Sequence, residues 1–458
     1  MKKTFYSLLV ILLLTTKSIL AQNSTDSTTR TLNLQQCIDF ALRNQPAVRQ
    51  ASIDEQINER DIRIGLSGWL PQLTSTAGYN YYFQRAVAGV GGTGTGTGTG
   101  TGGTTGGTGN GQIVGVGKNV STLALQASQT IYNNDVLLAS RAAKYSRQYY
   151  KQGTEVSQIA LVADVSKSFF DVLLSEKQLD IYNEDITRLQ RSLKDSYSRY
   201  QAGVVDKTDY KQATINLNNS LAGRKQTLEA IKSKAAYLKQ VMGLAPEKQL
   251  VLTYDSAQFV KTATIDTNQV LNIENRVEYR QLAAQKNLQA LNVNYYKYGW
   301  LPSLSAVGSY SLLYFNDHFS DQYKNAYPTS LIGLSLNLPI FTGTKRLQNL
   351  AKARLQEDRV DLDIVNTRNV INTEYVQALS DYKSNYTNWL FLKQNVDLAK
   401  DVDTIVELQY REGIKTYLDV IVAQSGLRTA ELSYYNALFT LLSSKIDLEK
   451  ALGTLTVR

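Results

Sequence analysis

Apolar residues recur at three- and four-residue steps through a very long segment, 344–412, which holds neither Gly nor Pro. The equivalent segment of the first half, 133–202, contains one glycine, Gly153, and no proline. The spacing predicts one continuous amphipathic helix in each segment, about 100 Å long at 1.5 Å per residue. Helices of this length do not fit inside a compact globule, so we expect them to pack side by side in a bundle or tube.

Apolar and polar residues alternate after each of two prolines, Pro71 and Pro302. This period of two predicts strands, and we expect β-hairpins at about 72–131 and 303–339. Strands of about ten residues suit a tilted crossing of a membrane, with one face toward lipid and the other toward a wet lumen. The alternative is a water-soluble sheet on a packed core, but the long flanking helices offer no globular core.

The chain repeats its own landmarks. Trp69-Leu70-Pro71 recurs as Trp300-Leu301-Pro302, at an offset of 231 residues. Tyr200-Gln201-Ala202-Gly203 is echoed by Tyr410-Arg411-Glu412-Gly413, at an offset of 210. Matching landmarks in the same order indicate an internal duplication.

The two offsets differ because the first half is longer. The additional residues of the first half correspond to the Gly/Thr-rich tract at 89–117. This tract cannot bury a core, so we expect a surface loop between the first two strands. The chain then divides into a first structural repeat at 22–266, with a connecting segment at 244–266, and a second at 267–458. Each repeat contains a helix, a β-hairpin and a long helical hairpin, which turns near residue 203 or 413.

The N-terminus has the order of a secretory signal peptide. Lys2 and Lys3 precede an apolar stretch from Phe5 to Leu14, and Ala21 precedes a polar run. We predict a signal peptide at 1–21. No later run of about 18 apolar residues follows, so we expect any membrane insertion to use strands.

Four predicted strands per chain are too few to close a membrane barrel, and open sheet edges are not tolerated in lipid. Several chains must therefore contribute strands. Three copies would give 12 strands, an even number within the known range, although two or four copies would also close an even barrel. The expected fold class is a mixed α and β membrane protein, in which several chains share a long α-helical barrel and a transmembrane β-barrel.

Charge and composition argue against other classes of function. The net charge is +9, but the basic residues are spread among acids along the helices, so we expect no nucleic-acid partner. The single cysteine, Cys37, is expected to be buried on a helix. The single histidine, His318, lies in the loop between the third and fourth strands and makes a weak case for a metal site. Without a P-loop or a nucleophile elbow, we predict no enzyme, no catalytic residue, no cofactor and no metal.

Each long helical hairpin turns at a glycine, which accepts the positive φ that the reversal needs. An apolar residue follows each glycine and would be exposed, and exposed apolar residues on a turn indicate a partner. The alternative is contact between the two turns within one subunit. The predicted docking tip comprises Ala202, Gly203, Val204, Glu412, Gly413 and Ile414.

The mature chain resembles the TolC-like outer membrane efflux proteins over nearly its whole length. The resemblance rests on Leu32-x-Leu34 leading to Asn44-x-Pro46, on the paired Trp-Leu-Pro, and on the closing segment 451–455. It also rests on the Tyr-x-x-Gly turn, which is followed six residues after Gly by Asp209 or Asp419.

This resemblance implies a homotrimer with a 12-stranded barrel in the outer membrane of a Gram-negative bacterium and a long helical tunnel in the periplasm. Outer-membrane lipid would surround the barrel. The helical tip would dock a periplasmic adaptor protein, which would connect the duct to an inner-membrane transporter.

The resemblance also implies a gate at the tip, held closed by polar links between neighbouring hairpins. By position, Tyr410 would bond Asp209, and Lys415 would bond Thr208. Asp419 matches an acidic ring at the entrance, where three carboxylates would favour cations.

We therefore expect a trimeric exit duct for efflux or type I-like secretion, opened by partners and driven by energy supplied elsewhere. The alternative from another class is a trimeric coiled-coil protein of the outer membrane, an adhesin or a structural tether, without a conducting lumen.

Overall fold

The computed structural model describes residues 30–84, 117–253, 259, 261 and 263–455. The predicted signal peptide at 1–21 and nearly all of the predicted Gly/Thr loop at 89–117 lie outside these residues. In chain order the elements are β1 (Arg30–Leu32), α1 (Leu34–Asn44), α2 (Pro46–Ser67), β2 (Gln72–Tyr81), β3 (Asn119–Tyr132), α3 (Asn134–Gln201), α4 (Lys207–Met242), β4 (Leu250–Leu252), α5 (Val277–Lys297), β5 (Ser303–Asn316), β6 (Tyr327–Asn337), α6 (Lys345–Arg411) and α7 (Tyr417–Leu452).

The chain divides into two compact units. The first comprises Met1–Pro46, Ala160–Gln269 and Ala378–Glu449, and the second comprises Ala47–Ile159, Val270–Gln377 and Lys450–Arg458. Each unit takes residues from both halves of the sequence. The two long helix pairs nearly match in length, because α3 and α4 have 68 and 36 residues while α6 and α7 have 67 and 36.

The second unit contains a sheet of four antiparallel strands in the order β2-β3-β5-β6. The outer strands β2 and β6 each pair with one neighbour, so each has an unpaired edge within the described chain. Pro328 lies in β6 and pairs opposite Leu312. Proline is tolerated there because an edge strand need not donate every backbone N–H to a partner.

Register places most of the apolar side chains of the four strands on one face of the sheet, here called the apolar face. One cross-strand row is Ala77–Leu123–Leu312, and the rest of the face includes Leu73, Leu125, Ile332 and Leu334. The opposite face carries mostly Ser, Thr and Gln. Ile332 is 94% exposed and Leu334 is 71% exposed, so the described chain leaves this part of the apolar face uncovered.

The strands extend beyond the apolar alternation that predicted them. The alternation in the returning strands is clear near 123–131 and 332–338, whereas β3 begins at Asn119 and β6 begins at Tyr327. The ladder continues because backbone N–H and C=O groups pair without regard to side-chain polarity, although Pro328 has no N–H to donate.

The first unit has a helical core. Phe169 and Leu173 on α3, Met242 on α4, and Leu441 and Leu448 on α7 have at most 1% of their surface exposed. Burial of such side chains is the main favourable contribution to packing, at about 1.5–3 kcal/mol for each large apolar residue. A short parallel pair, β1 with β4, joins the beginning of the described chain to the segment after α4.

The helix predicted before Trp69 is two helices. The first, α1, begins with a capping box, in which the side chains of Asn33 and Gln36 each accept a hydrogen bond from the other residue's backbone N–H, at 2.9 and 3.0 Å. Pro46 ends the continuity, since it has no N–H to donate, and it instead starts α2. Cys37 on α1 is fully buried, as predicted, and burial raises the pKa of its thiol to about 12.

Within the described ranges, no helix combines the length and the apolar character needed to cross a bilayer.

Candidate functional site

The turn between α3 and α4 is closed by a Schellman motif in the first unit. The N–H of Gly203 bonds the carbonyl of Tyr200, and the N–H of Val204 bonds the carbonyl of Arg199, both at 3.0 Å. Gly203 has φ +71°, a conformation that costs a residue with a Cβ roughly 1–2 kcal/mol. Glycine at this position therefore ends the helix and reverses the chain.

The turn between α6 and α7 repeats this geometry. The N–H of Gly413 bonds the carbonyl of Tyr410 at 3.1 Å, and the N–H of Ile414 bonds the carbonyl of Gln409 at 2.9 Å. Gly413 has φ +77°. Both turns predicted from the sequence thus have the same backbone geometry.

The apolar residues of the two turns are exposed. Val204 has 70% of its surface exposed and Ile414 has 72%, and Ala202 and Glu412 are exposed as well. Contact between the two turns, the alternative considered from the sequence, would bury Val204 and Ile414. The described chain therefore contradicts that alternative.

The two return helices start differently. At the start of α7, Thr416 donates its N–H and its hydroxyl to Oδ2 of Asp419, at 2.9 and 2.7 Å, and the N–H of Asp419 points back to Thr416 Oγ1 at 3.4 Å. This is a capping box. At the start of α4 the corresponding residue, Asp206, makes no side-chain capping bond.

The two aspartates of the predicted gate lie in opposite electrostatic environments. Burial, together with the charge of Asp206, raises the pKa of Asp209. Hydrogen bonds from the side chain and backbone of Thr416, with a contribution from Lys415, lower the pKa of Asp419. Asp419 therefore keeps its negative charge to lower pH than Asp209 does.

Tyr410 is enclosed by groups from both hairpins. The guanidinium of Arg199 lies 4.8 Å from the centroid of its ring, a cation–π contact, and the ring of Tyr417 lies 5.9 Å away. Burial raises the pKa of the Tyr410 hydroxyl, and the charge of Arg199 opposes this shift. The hydroxyl is buried and has no hydrogen-bond partner in the described chain.

Neither of the two predicted gate bonds forms within the described chain. Asp209 is close enough for its charge to raise the pKa of Tyr410, but no hydrogen bond joins the two side chains. Thr208 is exposed and does not meet Lys415, whose Nζ lies 3.9 Å from Oδ1 of Asp419 instead. Lys415 pairs with Asp419 because the two residues are four positions apart on one helical turn, whereas Thr208 belongs to the other turn.

Sequence reasoning missed a buried polar cluster that joins three helices of the first unit. Asp185 on α3 is 1% exposed, and its Oδ2 accepts a hydrogen bond from Ser220 on α4 at 2.6 Å and another from Arg428 on α7 at 3.0 Å. Arg428 also donates to Ser220 Oγ at 2.8 Å. One signal was available, because Arg428 is the only basic residue between Lys415 and Lys445.

Other ionisable groups surround this cluster. Arg188 on α3 places Nη2 3.7 Å from Oδ1 of Asp185. Burial raises the pKa of Asp403 on α6 and of Glu431 on α7, while the positive charge of Arg188 opposes both shifts. The four helices of the two hairpins thus bring polar or charged groups to one region: α3, α6 and α7 contribute charged side chains, and α4 contributes Ser220.

The fold and the two turns together define a structural class: chains with a small antiparallel sheet and two pairs of long helices. Solved structures of outer-membrane channels have the same fold as this chain. CusC, in a study of conformational changes accompanying folding and transmembrane channel formation, gives a TM-score of 0.72 at 15% identity over 93% of each chain. The CmeC outer membrane channel of Campylobacter jejuni gives 0.70 at 17% identity, over 92% of this chain and 85% of CmeC.

Sequence comparison identifies the family. Outer membrane protein TolC of Vibrio cholerae is 23% identical over 442 residues, which are 93% of this chain and 91% of that protein. The model of the family described as outer membrane efflux protein matches residues 37–244 and 270–454. The chain belongs to the outer membrane efflux protein family, and the predicted resemblance is confirmed. It is an outer-membrane protein of a Gram-negative bacterium with a large periplasmic helical part.

Proposed function

We propose that the chain is one subunit of a trimeric exit duct for efflux or type I-like secretion. Four strands from each of three copies form a 12-stranded transmembrane barrel, and the long helices form a periplasmic tunnel. The tip docks a periplasmic adaptor and an inner-membrane pump and carries the gate. The role is passive and not enzymatic, in keeping with a family of channel proteins.

One observation carries this proposal: the four-stranded sheet has an exposed apolar face and two unpaired edges. In hydrocarbon an unpaired backbone N–H or C=O costs several kcal/mol. The edges of β2 and β6 must therefore pair with further copies when the apolar face meets lipid. Physics requires closure by several copies, and the family resemblance supplies the number three.

The likeness of the two halves of the chain supports the same arrangement. Each half contributes two antiparallel strands and one pair of helices of nearly equal length, 68 and 36 residues or 67 and 36. A trimer of such chains has six similar hairpins around its axis. Six similar hairpins pack side by side into a tube more evenly than three dissimilar pairs do.

The docking role rests on the two glycine turns. Each presents an apolar side chain, Val204 or Ile414, that the described chain leaves mostly exposed. Exposed apolar residues on rigid turns suit burial by another protein. The adaptor would cover these residues.

The gating role rests on Tyr410. Its buried hydroxyl lacks a partner in the described chain, and leaving such a group unsatisfied costs about 1–3 kcal/mol. In the closed trimer the hydroxyl would bond Asp209, Lys415 would bond Thr208, and Asp419 would form the acidic ring. A partner for Tyr410 would thus be supplied by closure and lost on opening.

Conductance in planar bilayers tests the duct and the gate. The variant Asp209→Ala/Tyr410→Phe should open more often or conduct more than the parent, because the closed state loses a link. The matched control is Tyr200→Phe, which removes the same hydroxyl from the equivalent position of the first turn. We expect that control to conduct like the parent.

Two results would contradict the proposal in different ways. Equal conductance of the double variant, the control and the parent would remove Asp209 and Tyr410 from the gate while leaving the duct. No channel for any variant at any voltage would favour the structural or adhesin role instead.

A further inference from the structure

The loop between β5 and β6 folds back onto the sheet in the second unit. It contains one turn of 3₁₀ helix at Phe319–Asp321, and residues 319–324 are here called the outer shelf. The loop lies at the end of the sheet away from the strand ends that lead into α3 and α6, since it follows Asn316, which pairs with Asn119 at the beginning of β3.

The outer shelf rests on one cross-strand row, here called the end row, formed by Tyr79, Ser121 and Tyr314. The end row lies two residues along each strand from Ala77–Leu123–Leu312. Side chains two residues apart in a strand point to the same face. The end row therefore lies on the apolar face, one row before the last paired row, Tyr81–Asn119–Asn316, and the shelf lies on that face and not on the polar one.

Specific contacts fix the shelf to the end row. Nε2 of Gln322 donates to Oγ of Ser121 at 2.6 Å, and the hydroxyls of Tyr323 and Ser121 are 3.1 Å apart. The ring of Phe319 lies 5.9 Å from that of Tyr79, nearly perpendicular to it, and the ring of Tyr323 lies 5.3 Å from that of Tyr314.

The loop is also tied down at its base. The N–H of Lys118 donates to Oδ1 of Asp317 at 3.1 Å, and Nδ2 of Asn119 donates to the carbonyl of Asp317 at 3.1 Å. Nδ2 of Asn316 donates to the carbonyl of Asp321 at 3.2 Å. These bonds hold the loop in the folded-back position.

One polar side chain of the shelf, Gln322, points inward, and its aromatic rings are mostly exposed. Gln322 is fully buried, whereas Phe319 is 63% exposed and Tyr323 is 60% exposed. The ammonium of Lys324 lies 2.7 Å from Asp321, so the shelf presents no unbalanced charge to attract an ionic ligand. Exposed aromatic side chains at the end of an apolar strand face are typical of the boundary between membrane and water.

We propose that the outer shelf lies in the outer-leaflet lipid, at the level where headgroups meet acyl chains, with Phe319 and Tyr323 against the lipid. This inference rests on the proposed function, because it takes the apolar face as the lipid side of the barrel. Lipid is the expected occupant because the shelf continues the uncovered apolar face and lies mainly over the central strands β3 and β5. A neighbouring copy joins the sheet at the edges of β2 and β6. The β5–β6 loop accordingly lies outside the barrel wall and does not cover the mouth of the pore.

Spin labels report the surroundings of single cysteines. Because Cys37 is buried and its thiol has a raised pKa, an added cysteine is the reactive one. The variants are Phe319→Cys and Tyr323→Cys on the shelf, Ile332→Cys on the apolar face and Thr329→Cys on the polar face of the same strand. Each labelled full-length protein is reconstituted in phosphatidylcholine/phosphatidylglycerol vesicles. Collision with oxygen, which concentrates in lipid, is compared with collision with a water-soluble nickel chelate.

We expect the labels at 332, 319 and 323 to favour oxygen, in that order, and the label at 329 to favour nickel. Nickel-dominated collision at both 319 and 323, with oxygen still dominant at 332, would overturn the shelf inference and leave the barrel intact. Protection from both reagents at 319 and 323 would also overturn it, since the shelf would then contact another subunit. Nickel-dominated collision at 332 would instead overturn the proposed function.

Discussion

The first and second helical turns have the same backbone and different chemistry. Gly203 and Gly413 close identical Schellman motifs, with φ of +71° and +77°. The return helix of the second turn is capped by Thr416 and Asp419, whereas Asp206 of the first turn makes no capping bond. The two turns thus share the reversal of the chain, while the side chains that set stability and charge differ.

The hairpins behind the turns differ in the same sense. Asp185 and Ser220 of the first hairpin receive Arg428 from the second. At the position equivalent to Asp185 the second hairpin has Asn395, which is exposed. The buried carboxylate of Asp185 therefore has no equivalent in the second hairpin, and its bond to Arg428 connects the first hairpin to α7.

The largest expected effect comes from removing this charged group. Asp185→Ala leaves Arg428, whose side chain is only 22% exposed, without its carboxylate, and breaking a buried ion pair from one side costs up to about 3–5 kcal/mol. Hydrogen exchange in α3, α4 and α7 should accelerate accordingly. Asn395→Ala, the matched change in the second hairpin, should alter exchange by less than about 0.5 kcal/mol. Equal effects of the two variants would mean that the Asp185 cluster does not distinguish the hairpins.

A smaller effect is expected from the turns themselves. Gly203→Ala and Gly413→Ala each force a side chain into the left-handed region, at a cost of roughly 1–2 kcal/mol. Nothing lies within 4 Å of a Cβ built at either glycine, so the cost should come from the backbone alone. Local hydrogen exchange at the last turns of α3 and α6 should change equally. A large difference between the two variants would contradict the identity of the two backbones.

The caps should separate the turns again. Thr416→Ala removes the capping box and should destabilise the start of α7 by about 1 kcal/mol. Asp206→Ala removes no capping bond, so the exchange of amides at the start of α4 should change much less. A larger effect of Asp206→Ala than of Thr416→Ala would contradict the inference that only α7 has a capping box.

The smallest expected effect is a pH dependence of opposite sign at the two turns. The pKa of Asp419 is lowered in the folded chain, so its contribution to stability is present above its ordinary pKa and is lost as pH falls through the folded pKa. The pKa of Asp209 is raised, so the start of α4 gains stability as pH falls through that raised value toward the ordinary one. Hydrogen exchange of α4 and α7 between about pH 3 and 6, corrected for intrinsic exchange rates, measures how the local stability of each helix changes with pH. Asp209→Asn and Asp419→Asn should each abolish the pH dependence of their own helix. If both helices gained, or both lost, stability as the pH falls, the opposite pKa shifts of Asp209 and Asp419 would be contradicted.

Local features of the fold followed from the sequence. Period and composition predicted the long helices, the strands and the glycine turns, because each depends on residues close together in the chain. Pro46 is a local signal for the break between α1 and α2, because proline has no N–H to continue the hydrogen bonds of a helix. The three-residue pair β1 and β4 has no periodic signal of its own, because it depends on pairing across more than 200 residues.

The candidate site was predictable in position and less so in contacts. Gly203, Gly413, Asp209 and Asp419 could be placed by their spacing. The partners of Tyr410 could not be predicted from spacing, since the stacking of Arg199 on its ring depends on how two helices rotate about their axes. The Asp185 cluster lay beyond local reasoning for the same reason, as its members are 35 and 208 residues apart.

The unpaired edges of β2 and β6 have a consequence for biogenesis. A newly exported subunit carries two open strand edges and an uncovered apolar face, which together are prone to aggregation. In the proposed trimer these surfaces are satisfied only when subunits meet and reach the membrane. Assembly should therefore slow steeply as subunit concentration falls, and single subunits in transit should depend on chaperones that shield strand edges.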